Sequence, residues 1–239
     1  AREFGLYNRI SVAEAKRLCP TLVLVRGDNE LNAMQRYRSA SQAVLRCIMH
    51  ALDTLIGVSS ASTSSSWESR MVDHPSFDDF YVLLEGHSLD EAASWAEGVR
   101  ARIFSETGLR CSAGVARTKL LSLLATKKGK PNGQWLCRAH SEERTLLDDV
   151  RVDAMRGAGI VGIRPASRQA ILEALGRDAR VEQLREALPR LPSILASEAA
   201  GAEVQRLLES MDDGSSVGRF VLPQSISVEL SVRERDTEP

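Results

Sequence analysis

What this sequence lacks narrows the field first. It contains no run of about 18 apolar residues, so no membrane-crossing helix is predicted. Its first residues show no basic-then-apolar segment of the kind that directs secretion. Cysteine is scarce and dispersed. Cys19, Cys47, Cys111 and Cys137 form no Cys-x-x-Cys pair, which argues against a zinc site and for free thiols in a reducing compartment. The histidines, His50, His74, His87 and His140, have no ligand spacing with one another and read as structural or solvated. Aromatic residues make up only 5%, and Trp95 and Trp135 read as packing residues rather than base-stacking platforms. No internal repeat is visible. A large net charge is absent too: the balance is −1, which weighs against a wholly basic nucleic-acid-binding domain.

What is present is the composition of an ordinary soluble globular protein, 43% apolar and 26% charged. A chain of 239 residues can bury one good core or two to three small ones. Its charge is segregated. Arg117, Lys119, Lys127, Lys128 and Lys130 cluster, with no acid between the first and the last. Both ends suggest a piece of a larger protein or a shortened gene product: AREFGL has neither Met nor a helix start, and PQSISVEL begins a strand that runs out in a charged tail.

Along the chain, Ser11 and Glu14 have capping-box spacing, and the helix they start ends at Cys19–Pro20. Residues 21–25, TLVLV, read as a short buried strand, and Gly27-Asp28-Asn29 as a turn. A long helix is predicted over 31–56, with Met34, Tyr37, Val44, Ile48, Leu52 and Leu55 near the helical period. The serine-rich stretch 58–70 reads as an exposed insertion in which Trp67 docks locally at most. Residues 76–84, SFDDFYVLL, have strand propensity throughout. Ser88 and Glu91 open a helix over 89–107 that stops at Gly108. Leu109, Cys111, Ala113 and Val115 alternate as a strand does, and a helix follows over 118–128. Strand, helix, strand, helix predicts an α/β sheet with helices on one face. From Asp148 the chain turns helical in short elements, 168–175, 181–188 and 201–211, with a boundary near 141–150 and a softer one at 214–216.

Two features carry chemistry. Asp78 and Asp79 sit inside an apolar strand run, where two charges are expensive without a cation. Adjacent strand residues point to opposite faces, yet at a strand end both can reach a metal held over that edge. Oxygen ligands suit Mg²⁺, which keeps waters and takes one or two carboxylates plus substrate phosphates. The plainer reading is a pair of solvated acids beside a turn. The second feature is Lys130-Pro131-Asn132-Gly133, strong turn chemistry in its own right. A lysine fixed beside a rigid turn also makes a point-charge clamp for a triphosphate. Residues 156–176 hold Gly157-Ala158-Gly159 ahead of a helix, where backbone N–H groups can face a phosphate.

Cys111 to Gln134, CSAGVARTKLLSLLATKKGKPNGQ, resembles the segment joining palm to thumb in the Y-family (translesion) DNA polymerases. Ser76-Phe77-Asp78-Asp79-Phe80-Tyr81 is similar to that family's metal-binding strand, whose usual Asp-Glu is here Asp-Asp. AREFGL, EAKRLCPTLVLV and RYRSAS resemble its fingers domain. Departures are Thr118 for an Asn, Leu123 for a Lys and Leu83 for a further Asp.

The resemblance implies a palm of α/β (α+β) class, mostly helical fingers and a small all-α, helix-hairpin-helix-like thumb. Fingers would cover 1–37, palm 38–145, thumb 146–218, and 219–239 would begin the little-finger domain. Asp78 and Asp79 become the catalytic, metal-binding pair for Mg²⁺ or Mn²⁺. Lys130 and Arg2, with Asn8 and Arg9, become nucleotide-binding; Gly157, Gly159 and Lys119 become DNA-binding. The implied partners are primer–template DNA, a deoxynucleoside triphosphate and, through regions beyond this chain, a replication clamp. The eukaryotic eta/iota branch is the nearest by motif, which implies a nuclear protein. The family's first motif, which supplies another metal-binding aspartate, would lie upstream of Ala1, so little or no polymerase activity is expected of the chain as written. The alternatives are a non-catalytic DNA-binding remnant and a nucleotidyl cyclase.

Overall fold

A computed structural model describes residues 4–6, 10–24, 31–57, 72–155, 163–212 and 226–233. The chain divides into two compact units, Ala1–Ser39 and Ala40–Pro239.

In the first unit, helix α1 (Val12–Leu18) starts where predicted. The Ser11 hydroxyl accepts from the Glu14 N–H at 3.1 Å, and the Cys19 N–H closes the far end on the Ala15 carbonyl. The TLVLV expectation is corrected: residues 21–24 form no strand, and Val23 and Leu24 are exposed. A β-branched run becomes a strand only against a partner, and none pairs with it among the described residues. Helix α2 (Leu31–Ile56) has the predicted span and continues into the second unit.

The second unit is built on a five-stranded sheet in the order β1-β2-β5-β3-β4, with β1 (Val72–Asp73), β2 (Asp79–Leu84), β3 (Arg110–Ala116), β4 (Gln134–Leu136) and β5 (Ile226–Arg233). β5 is antiparallel to both neighbours, β1 is antiparallel to β2, and β3 and β4 are parallel. Residues 226–233 fill the centre of this sheet. Their alternation of Ile, Val and Leu with Ser and Glu suits a strand between two others.

Helices cover both faces, not one. On the first face Phe80, Val82, Leu84, Cys111, Ala113 and Val115 form one core with Val44, Ile48 and Leu52 of α2 and with Ala92, Ala96, Val99 and Ile103 of α3 (Leu89–Thr107). Helix α3 carries the predicted capping box: the Glu91 carboxylate accepts from the Ser88 N–H at 2.7 Å, the Ser88 hydroxyl accepts from the Glu91 N–H at 3.2 Å, and Gly108 ends the helix at φ 70°.

Helix α4 (Lys119–Gly129) crosses the other face. It is seated by Gly114: a Cβ there would lie 2.2 Å from the Ser122 carbonyl oxygen and from the Thr126 backbone nitrogen. The far side of α4 supplies Leu120, Leu121, Leu124 and Ala125 to a second core. That core is shared with α5 (His140–Asp148), α6 (Pro165–Leu175), α7 (Val181–Glu186), α8 (Leu191–Ile194) and α9 (Glu198–Asp212). Arg185, nearly buried, pairs with Asp148 at 2.9 Å and Asp212 at 2.6 Å, tying α5, α7 and α9 together.

Candidate active site

Strand β2 starts three residues later than its propensity suggests, because residues 75–78 bend. The bend changes what the two acids can do. Ser76 Oγ lies 2.8 Å from Asp78 Oδ1 and 2.9 Å from Asp79 Oδ2, and accepts from the Asp79 N–H at 3.1 Å. The two carboxylates therefore meet around one hydroxyl instead of pointing to opposite faces. Asp78 is exposed and Asp79 half-buried. The hydroxyl carries a single proton, so it donates to one carboxylate at a time. The arrangement offers hard oxygen donors to a divalent cation, with the remaining coordination left to water and phosphate oxygens. Among the described residues, no group of three or more His, Cys, Asp or Glu side chains converges on one point.

Strand register fixes where the lysine turn lies. Asp79 pairs with Ser231 and Ser231 with Ser112, while the next row runs Phe80, Leu230, Ala113, Gln134. The Gly133 carbonyl accepts from the Ala113 N–H at 3.0 Å. The Ser76–Asp79 bend and the Lys130–Gly133 turn thus occupy the same end of the sheet. Three strand spacings separate them, about 14 Å at about 4.8 Å each. The turn itself is well held. Arg100 donates to the Asn132 carbonyl at 2.8 Å and to the Cys111 carbonyl at 3.0 Å, Asn132 takes φ 47°, and the Lys130–Pro131 bond is cis. Lys130 is half-buried at the end of α4.

The basic stretch does not form one surface. Arg117 pairs with Glu143 at 2.7 Å. Lys119 is buried: its ammonium lies 2.5 Å from Asp73 Oδ2 and 4.4 Å from the centroid of the Tyr81 ring. It is engaged inside the protein rather than presented on an open surface. Lys127 and Lys128 line a cavity of about 390 Å³ together with Arg151, Arg180 and Asp149. Sequence reasoning missed Asp73 and Tyr81. The alternation of β2 sets Tyr81 opposite the apolar Phe80 and Val82, but nothing local announces a carboxylate forty-six residues before its lysine.

Arg2, Asn8, Arg9, Gly157 and Gly159 lie outside the described residues. Trp95 is a packing residue, as expected, its indole N–H donating to the Ala51 carbonyl at 3.2 Å. The thiols are free and buried. Burial pushes Cys47 and Cys111 up to about 11 and Cys137 up to about 12, which disfavours their thiolates.

Residues 1–127 match the model of the impB/mucB/samB family. The chain belongs to that family. A DNA polymerase IV of Neisseria meningitidis is 33% identical over 164 residues, 69% of this chain and 41% of that protein. A DNA polymerase IV of Shewanella amazonensis is 30% identical over 236 residues, 95% of this chain and 58% of that protein. The chain therefore spans about half the length of these curated relatives. Among solved structures, a DinB family error-prone DNA polymerase from Sulfolobus solfataricus superposes with a TM-score of 0.59 over 91% of this chain and 56% of that one, at 19% identity. The insertion ternary complex of Dbh DNA polymerase gives 0.53 over 88% and 53%, also at 19% identity. These structures share the fold.

The resemblance to translesion polymerases thus holds at the level of the family. Its assignment to the eukaryotic eta/iota branch does not, because these relatives are bacterial DNA polymerase IV. The expectation of a nuclear protein falls with it, because the similar curated proteins are bacterial.

Proposed function

We propose that this chain carries the nucleotide-handling part of a translesion DNA polymerase of the DNA polymerase IV type. The reaction is template-directed addition of a deoxynucleotide to a primer 3′-hydroxyl, tolerant of damaged templates. One observation supports it above others: two carboxylates gathered on Ser76 share a sheet end with the turn that bears Lys130.

In this reading Asp78 and Asp79 hold Mg²⁺ or Mn²⁺, and the Lys130 ammonium pairs with phosphate oxygens of the incoming triphosphate. A divalent cation bound there supplies charge neutralisation for the phosphates and acidifies the attacking hydroxyl. Fixing the triphosphate at two points on the same end of the sheet restricts its motion, which contributes to rate by orientation. The family resemblance adds Arg2, Asn8 and Arg9 as candidates for nucleotide binding, and Gly157 and Gly159 as candidates for binding duplex phosphates without reading sequence. Primer–template DNA and a deoxynucleoside triphosphate are the substrates.

Binding of a fluorescent deoxynucleoside triphosphate, with and without Mg²⁺, tests the reading. Affinity is expected to rise with Mg²⁺, and Asp78→Asn or Asp79→Asn to abolish the rise. Lys130→Ala should weaken binding about tenfold, the size of one charge-assisted hydrogen bond. Nucleotide binding indifferent to Mg²⁺ and to all three substitutions overturns it. Duplex binding on its own would instead favour a non-catalytic DNA-binding protein.

A further inference from the structure

Two turns make up the candidate site, and each hangs from a different element. The acidic bend follows β1 directly: Asp73 is the last residue of that strand and Asp78 comes five positions later. The lysine turn follows α4 directly: Lys119 is the first residue of that helix and Lys130 its C-cap. Asp73 and Lys119 are joined to each other. Their ion pair is 2.5 Å long, with side-chain exposures of 8% for Lys119 and 21% for Asp73, and the ammonium sits over the Tyr81 ring.

Asp73, Tyr81 and Gly114 lie in one row that crosses the sheet from β1 to β3 by way of Glu229. Helix α4 follows this row. Lys119 stands over β1 and β2, Ser122 and Thr126 over Gly114, and Gly129 beside β3 and β4. The ion pair therefore anchors the start of a rigid rod whose other end carries Lys130.

A buried pair of this kind repays little of its own desolvation, so net stability is a poor reason for it. What it does supply is a fixed position. The charge of Lys119 has its carboxylate at one point on the sheet, and sliding or tilting α4 separates the two.

We propose that Asp73 and Lys119, closed over the Tyr81 ring, are positioning residues. They set the separation between the acidic bend and Lys130 and so fit the site to a metal-bound triphosphate. The inference rests on the function proposed above, which supplies the ligand.

Mg²⁺-dependent deoxynucleoside triphosphate binding to the whole chain tests it, using Lys119→Met, Asp73→Asn, Lys130→Ala and the double variant Lys119→Met/Lys130→Ala. Each of Lys119→Met and Asp73→Asn should cost about tenfold in affinity. Lys130 lies eleven residues from Lys119, far enough that independent effects would multiply. Positioning requires coupling instead: the double variant should bind about as weakly as Lys130→Ala alone. Asp73→Asn keeps the shape of the side chain and serves where Lys119→Met fails to fold. Multiplying effects, or full affinity in folded Asp73→Asn, overturn the proposal while leaving the function standing. A wild-type chain that binds no nucleotide with Mg²⁺ sinks both together.

Discussion

At the scale of single residues, burial decides which groups are available for chemistry. Cys47, Cys111 and Cys137 are at most 3% exposed. Loss of hydration disfavours their thiolates, which is why the first two rise to about 11 and the third to about 12; the Glu106 carboxylate adds to the effect at Cys47. At pH 8 a thiol titrating near 11 is about one part in a thousand thiolate. An aromatic disulfide reagent should therefore leave these three thiols unmodified in the native protein at pH 8 and titrate them promptly in denaturant. Rapid reaction of more than one thiol without denaturant would contradict the packing of both sheet faces against helices. The acids and lysines obey the same logic in reverse. Asp78 stays exposed and Lys130 half-exposed, whereas Lys119 is withdrawn. The cluster Arg117, Lys119, Lys127, Lys128 and Lys130 reads as basic in sequence, yet the charge of Lys119 is committed inward to Asp73.

Between elements, the close approach of α4 to β3 is the contact on which the site's geometry depends. Gly114 is the residue that permits it. A methyl group added there would meet backbone atoms of Ser122 and Thr126 at 2.2 Å, and a helix backbone cannot move aside as a side-chain tip can. Gly114→Ala should force α4 off the sheet and cost about 3 kcal/mol or more, at the upper end of overpacking. Thermal unfolding followed by circular dichroism checks this; a variant with an unchanged midpoint would mean that α4 seats elsewhere. Much at this scale was legible in the sequence. The period of 31–56, the Ser88–Glu91 box and Gly108 located two helices to the residue, because their signals lie within a turn or two of the chain. Residues 21–24 and 76–78 were misread for a common reason. Strand propensity measures fit to a neighbour, and among the described residues neither segment has one where the propensity peaks. The meeting of Asp78 and Asp79 on Ser76 followed from the second of these bends and was not visible in the strand pattern.

For the molecule as a whole, the deciding fact is that the last of the described strands in chain order is the middle strand of the sheet in space. Alternation in ISVELSVR indicates a strand but says nothing of its neighbours; those are set by which gap remains between elements assembled from earlier residues. β2 and β3 run in the same direction and make no pairing with each other, so β5 supplies every ladder hydrogen bond on their facing edges. Without it both edges lose their partners, and unpaired strand edges invite association with other chains. The row that carries Asp73, Tyr81 and Gly114 would also be cut in half. The helical core around Ile171, Leu184 and Leu208 draws on helices α4 to α9 and should outlast the sheet. A chain ending at residue 218 should therefore keep much of its helical circular dichroism, lose a single sharp thermal transition, associate on size-exclusion chromatography and bind no nucleotide with Mg²⁺. The full chain sets the reference for each measurement. If the shortened chain melts as sharply as the full one and remains monomeric, β2 and β3 must close against each other or against another strand, and the placement of the acidic bend relative to Lys130 would have to be rebuilt from that pairing.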